Sequence, residues 1–204
     1  MRLLYSAGSP FARIVRIALL ETGVDARVAK QEVTRQQLYS AESEVLAVNP
    51  IGRVPTLELD NGLILTESKL ILDYVDALHK GPKLLPRDGS DGWRTLAEMG
   101  QASGLLEGIV TWLRALRANE PESAVTGRES ARVNRAADAL EVAVASGAYV
   151  GPMTAAQIVL GVALGLVEPR LPVWVWRERR TSLSAWYDAI AARPSFQSTV
   201  PPSV

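Results

Sequence analysis

Three short segments of this chain carry the residues best placed to do chemistry. The first, Tyr5 to Arg13, reads YSAGSPFAR and sets the Ser9 hydroxyl directly ahead of Pro10. A hydroxyl at a helix N-terminus stands beside backbone N–H groups with no partner inside the helix, at the positive end of the helix dipole. That setting stabilises an anion such as a thiolate. A serine in the same place also serves as a plain helix cap. The second segment, Asn49 to Leu57, reads NPIGRVPTL and puts Val54-Pro55 immediately before a strand-like run. Either the X–Pro bond is cis and turns the Val54 backbone toward an extended peptide ligand, or an ordinary trans proline opens an edge strand. In the third segment, LTESKLILDYV, Glu67 and Ser68 open a helix straight after a strand. Backbone N–H groups and the Ser68 hydroxyl suit a ligand carboxylate, and the Glu67 carboxylate suits a ligand ammonium group. The alternative is a simple cap with an acidic residue favouring the helix dipole.

The elements that must hold these segments follow from periodicity. Arg2 to Tyr5 is apolar and strand-like, and Ser9-Pro10 then starts a helix whose Phe11, Val15, Ala18 and Leu19 recur at helical spacing until Gly23 stops it. A second strand is expected over Ala26 to Lys30, a short helix over Glu42 to Val48, and a hairpin of Thr56 to Leu59 with Leu63 to Leu65 around Asp60-Asn61-Gly62. A helix runs on from Glu67 to about His79. This alternation marks residues 1–79 as an α/β unit. Residues 80–92, KGPKLLPRDGSDG, are dense in Gly, Pro and charge and read as a linker. Residues 93–204 are helical in pattern, with helices expected over Trp93 to about Asn119, Arg128 to Ala145, Thr154 to Val167 and Ser182 to Ala192. Thr154 and Gln157 form a capping box ahead of a helix apolar on nearly every side. Trp174 and Trp176, beside Arg177, Arg179 and Arg180, read as a surface helix-edge cluster without function.

Composition narrows the classes further. With 22 Lys plus Arg against 22 Asp plus Glu in 204 residues, the chain announces no face for nucleic acid or another polyanion. The complete lack of cysteine removes thiolate nucleophiles, cysteine redox cycling and Cys-ligated metals, and the single histidine, His79, falls late in a helix. The N-terminus shows no signal-peptide pattern, so a cytoplasmic location is expected. The uncharged stretch from Tyr149 to Val167 is broken by Gly151-Pro152 and is too short in uninterrupted apolar length to span a bilayer, so no membrane association is expected.

Taken together, SPFARIVRIALLETG, NPIGRVPTLELDNG and LTESKLILDYVD resemble the N-terminal domain of the glutathione transferase superfamily. The Thr154 box and the ending WYDAIAARPSFQSTVPP resemble the helical domain of its bacterial members. Gln157 stands where the family usually has aspartate, a departure that bears on folding because glutamine still closes the box. The resemblance implies a thioredoxin-like α/β N-terminal domain (1–79), a linker (80–92) and an all-α helical-bundle C-terminal domain (93–204). It implies that Val54, before a cis Pro55, pairs with the cysteinyl backbone of glutathione, that Glu67 and Ser68 hold the γ-glutamyl end, that Arg53 serves the glycine carboxylate and that Phe11 lines the thiol pocket. Ser9 falls where serine-type members face the sulfur. Tyr5 is the alternative, since other classes place a catalytic tyrosine at the end of this strand, and Ser6 ranks third. The implied activity is that of a detoxifying transferase: glutathione is co-substrate, no metal takes part, and the thiol attacks a small hydrophobic electrophile, in conjugation or in glutathione-dependent reduction. The implied assembly is a homodimer. The electrophile pocket is expected between the domains, near the helix starting at Trp93, with Trp112 as one candidate. A binding or regulatory protein that keeps the fold without turnover is the alternative function.

Overall fold

The computed structural model describes residues 1–202. Two compact units emerge, one of residues 1–84 with the C-terminal segment from Pro194, the other of Leu85–Arg193. In the first unit, β1 (Arg2–Tyr5) leads into α1 (Pro10–Glu21), β2 (Ala29–Glu32), two short helices α2 (Arg35–Leu38) and α3 (Glu44–Val48), the hairpin β3 (Thr56–Glu58) and β4 (Ile64–Thr66), and α4 (Ser68–Ala77). The sheet order is β2-β1-β3-β4, with β1 and β2 parallel and the other pairs antiparallel. This small mixed sheet flanked by helices is the thioredoxin-like architecture expected. Leu3 and Leu4 are fully buried at its centre, and α1 and α4 lie side by side with Ile14, Ile17, Ala18, Ile71, Leu72 and Val75 turned inward. The start and stop of α1 are chemical. Ser9 is the N-cap, Pro10 takes the first helical position, and Gly23, at φ +69°, lets Val24 N–H reach Leu19 O and its own N–H reach Leu20 O.

Several boundaries differ from the sequence reading. The second strand starts at Ala29 because residues Asp25–Arg27 form a 3₁₀ turn, closed by Arg27 N–H on Val24 O and Val28 N–H on Asp25 O. The helix α2 was not expected, although Thr34 and Gln37 make a complete capping box around it.

The C-terminal stretch also departs from the expected helical domain over 93–204, since the helix α9 (Pro194–Gln197, counted after the four helices of the second unit) packs on α1. Arg13 explains this. Its guanidinium, only 5% exposed, donates to Phe196 O (3.1 Å) and Thr199 Oγ1 (3.4 Å) and lies 5.6 Å from the Phe196 ring centroid. Glu21 accepts from the Ser195 hydroxyl on the same face. Arg13→Ala therefore leaves a buried carbonyl without its charged donor and empties packed volume. We expect it to lower unfolding stability by about 2 kcal/mol in chemical denaturation. A variant as stable as wild type would remove this role.

The second unit is all-α: α5 (Gly89–Arg117), α6 (Ala124–Ala145), α7 (Ala155–Arg170) and α8 (Thr181–Ala191). The first turn of α5 recruits residues expected to be linker, with Asp91 placed favourably at the positive helix end. Residues Ala155 to Leu164 of α7 are buried without a break, as its apolar surround requires. Both halves of the Thr154–Gln157 box form, and Gln157 Nε2 also donates to Tyr149 O at 2.9 Å. That extra bond is one a glutamine side-chain amide can make and a carboxylate cannot.

Only part of the Trp-Arg cluster is a surface feature: Arg179 is exposed, but the tryptophans and Arg180 are not. Trp174 and Trp176 are buried, and Arg180 binds Asp138, Asn134 Oδ1 and Trp176 O from a buried position. Trp112 packs against Trp174 in the same core, ring centroids 6.3 Å apart. No helix among the described residues is long and apolar enough to cross a membrane.

Candidate functional site

In the first unit an open cleft of about 430 Å³ is lined by Phe11, Asn49, Ile51, Arg53, Val54, Pro55, Thr66, Glu67 and Ser68. Six of these are the binding residues expected from the sequence. They converge because three chain segments end together: the first turn of α1, the loop before β3, and the junction of β4 with α4.

The loop from Asn49 to Pro55 is held from inside. Asn49 is buried and its Oδ1 accepts from Ile51 N–H (3.0 Å), while its carbonyl accepts from Gly52 N–H (2.9 Å). Gly52 sits at φ +65°, a backbone conformation that disfavours any residue with a Cβ. The Val54 side chain packs on the buried group Leu4, Val33 and Val45. The Val54–Pro55 bond is cis. With Thr56 already paired to Thr66 and Leu4, the Val54 backbone is held at the cleft just ahead of an interior strand.

Across the cleft, Glu67 has φ +65° and ψ +120°, a conformation that side chains rarely adopt. It directly precedes α4, and Ser68 is its first residue, buried at the helix start. Among the described residues the Glu67 carboxylate and the Ser68 hydroxyl make no hydrogen bond. An exposed acid, a hydroxyl, a helix N-terminus and the exposed Arg53 cation thus share one cleft. This arrangement complements a zwitterion with an ammonium group and carboxylates.

The two candidate catalytic hydroxyls stand apart from that lining. Ser9 Oγ accepts from Ala12 N–H at 3.3 Å, the cap that starts α1, and among the described residues its hydroxyl hydrogen has no acceptor. It lies two residues before Phe11, on the same helix start that enters the cleft. Tyr5 points its phenol at Glu32 Oε2 (3.2 Å), and the Arg16 guanidinium lies 4.7 Å from its ring. Burial pushes the Tyr5 phenol up; Arg16 opposes that and Glu32 adds to it, leaving a net rise. The phenol hydrogen is already given to Glu32 and would have to leave that acceptor to serve a thiol. Ser6 contributes its carbonyl to Ser9 N–H.

Asn49, Ile51 and Thr66 are lining residues that the sequence reading did not single out. Asn49 carried a usable signal, an Asn-Pro-x-Gly turn just ahead of the Val-Pro pair. Ile51 and Thr66 gave none.

Known proteins share this sequence pattern and this fold. The family model described as "Glutathione S-transferase, N-terminal domain" matches residues 3–83. A glutathione transferase family member from Pseudomonas fluorescens Pf-5, crystallised with bound glutathione, is 36% identical, covers 98% of each chain and superposes with a TM-score of 0.87. The structure of a family member from the same organism with bound S-(propanoic acid)-glutathione is 37% identical over 99% of this chain and all of the other, at a TM-score of 0.84. An uncharacterized GST-like protein, YibF of Escherichia coli K12, is 29% identical over 99% of both chains.

Proposed function

This chain belongs to the glutathione S-transferase superfamily, and we propose that it binds glutathione in the cleft of its first unit and activates the thiol for attack on a small hydrophobic electrophile. The observation that carries the proposal is the meeting of Val54, Arg53 and Glu67-Ser68 in one cleft. In this reading the Val54 backbone pairs with the cysteinyl residue in strand fashion. Glu67 takes the α-ammonium group and Ser68, with the start of α4, takes the α-carboxylate of the γ-glutamyl end. Arg53 faces the glycine carboxylate and Phe11 borders the sulfur.

A free thiol with a pKa near ~8.5 is mostly protonated at neutral pH. The Ser9 hydroxyl, donating to sulfur beside the N–H groups of α1, favours the thiolate. The thiol proton leaves to solvent, the sulfur lone pair forms the new bond to the electrophile, and the electrophile's leaving group or π electrons accept the charge. The serine forms no covalent bond, so it needs no histidine partner. The proposal includes a homodimer working in the cytoplasm, with glutathione held by the first unit and the helical unit of Leu85–Arg193 serving the electrophile.

A second reading, a glutathione-binding or regulatory protein without turnover, draws on one observation: neither Ser9 nor Tyr5 lines the cleft. Titration calorimetry with glutathione, followed by turnover assays on a panel of electrophiles and peroxides, tests both. We expect binding and turnover of at least one panel member. Binding without turnover favours the second reading, and absence of binding sinks both. Sedimentation at low protein concentration checks the dimer.

A further inference from the structure

The side chains beneath the cleft account for the direction in which its backbone donor points. Asn49 is 1% exposed and Thr56 is fully buried, so their polar side-chain atoms must find partners inside the protein. Both aim a donor at one carbonyl, Arg53 O. Asn49 Nδ2 donates to Arg53 O at 3.1 Å and to Thr56 Oγ1 at 2.9 Å, and Thr56 Oγ1 donates to Arg53 O at 2.8 Å. The three groups form a closed triangle, tied to α3 by Asn49 N–H on Val45 O (2.7 Å) and to the sheet by the pairing of Thr56.

The carbonyl held in this triangle shares a peptide plane with Val54 N–H. The one cis bond among the described residues is Val54–Pro55, so the Arg53–Val54 peptide is trans. In a trans peptide the C=O and N–H lie in one rigid plane and point in opposite directions. Two donors that draw Arg53 O inward therefore aim Val54 N–H outward, toward the cleft that Val54 lines. Among the described residues that N–H has no partner, which suits a donor reserved for a ligand. Without the triangle the plane would be free to rotate about its flanking φ and ψ angles, and the donor direction would be lost even with every lining side chain in place.

We propose that Asn49 and Thr56 are positioning residues, which fix the Arg53–Val54 peptide plane so that Val54 N–H donates to an extended ligand backbone. The inference rests on the glutathione reading above and adds to it the two residues that set the strength of its backbone pairing. Glutathione binding by calorimetry tests it, because affinity and stoichiometry are read separately. A residue that serves only stability lowers the fraction of protein able to bind and leaves the Kd of that fraction unchanged. A positioning residue raises Kd at unchanged stoichiometry.

Thr56→Val keeps the shape and removes the hydroxyl. It is expected to raise Kd about tenfold, the worth of one net hydrogen bond. Thr56→Ser restores the hydroxyl and should bind within about twofold of wild type on the same reasoning. Asn49→Ala, read on its folded fraction, should weaken binding at least as much as Thr56→Val. Wild-type Kd in Thr56→Val, or equal loss in Thr56→Ser, overturns the positioning role while leaving glutathione binding intact. Failure of the wild type to bind overturns the glutathione reading, and this inference with it.

Discussion

Replacing Ser9 with alanine is expected to lower turnover at neutral pH by about a hundredfold, the usual cost of losing one donor to a developing anion, while glutathione affinity stays close to wild type. The separation follows from where the contacts lie. Affinity in this proposal comes from Val54, Arg53, Glu67 and Ser68, which line the cleft, whereas Ser9 is two residues outside that lining. The hydroxyl favours thiolate over thiol, so its removal raises the pKa of the bound thiol back toward ~8.5 and moves the rising limb of the pH–rate profile to higher pH. The deficit should therefore shrink as the assay is made more alkaline.

Ser9 also caps α1, and its loss from that role costs about 1 kcal/mol of stability. Ser9→Thr keeps both the hydroxyl and the cap and serves as the control. Tyr5→Phe removes only a hydroxyl already given to Glu32 and should leave turnover nearly unchanged. The opposite pair of results, a silent Ser9→Ala and an inactive Tyr5→Phe, would transfer the role to Tyr5.

The site was legible in the sequence where its chemistry sits at the ends of elements. Ser9-Pro10, Val54-Pro55 and Glu67-Ser68 each mark a boundary, and boundaries are where backbone groups remain available to a ligand. What escaped depends on partners distant in sequence or on neighbours of no special type. Arg13 lies on α1 at a position that periodicity alone would leave polar, yet its partners are Phe196 and Thr199. Nothing local announces a contact across more than 180 residues. Asn49 heads a recognisable turn, but its service to the Arg53 carbonyl emerges only once Gly52 has folded the loop back on itself. The helix α2 is a different kind of miss. Its Thr34–Gln37 box has the same pattern as the Thr154–Gln157 box that was read correctly, but four residues are too few to show a helical period. The burial of Trp174 and Trp176 was hidden by their arginine neighbours, of which Arg177 pairs with Glu168 and Asp188 and Arg180 with Asp138.

Glu67→Gly is expected to change stability and binding in opposite directions. At φ +65° and ψ +120° the glutamate backbone occupies a region that costs a residue with a Cβ about 1–3 kcal/mol. Glycine relieves most of that strain but adds roughly 0.5–1 kcal/mol of chain entropy to the unfolded state. The balance favours the variant by about 1 kcal/mol, a rise of a few degrees in Tm. Its glutathione affinity should nevertheless fall about fiftyfold, because the carboxylate proposed to take the ammonium group is a charge-assisted partner worth more than a neutral hydrogen bond. Glu67→Gln divides the two effects: the backbone conformation is kept, stability stays level, and binding still weakens because the charge is gone. A side chain maintained in an unfavourable conformation, exposed and without a hydrogen-bond partner among the described residues, contributes little to the fold; its contribution is to the ligand. Should Glu67→Gly lose stability and keep its affinity, the conformation would belong to folding and the ammonium contact would have to be sought elsewhere in the cleft.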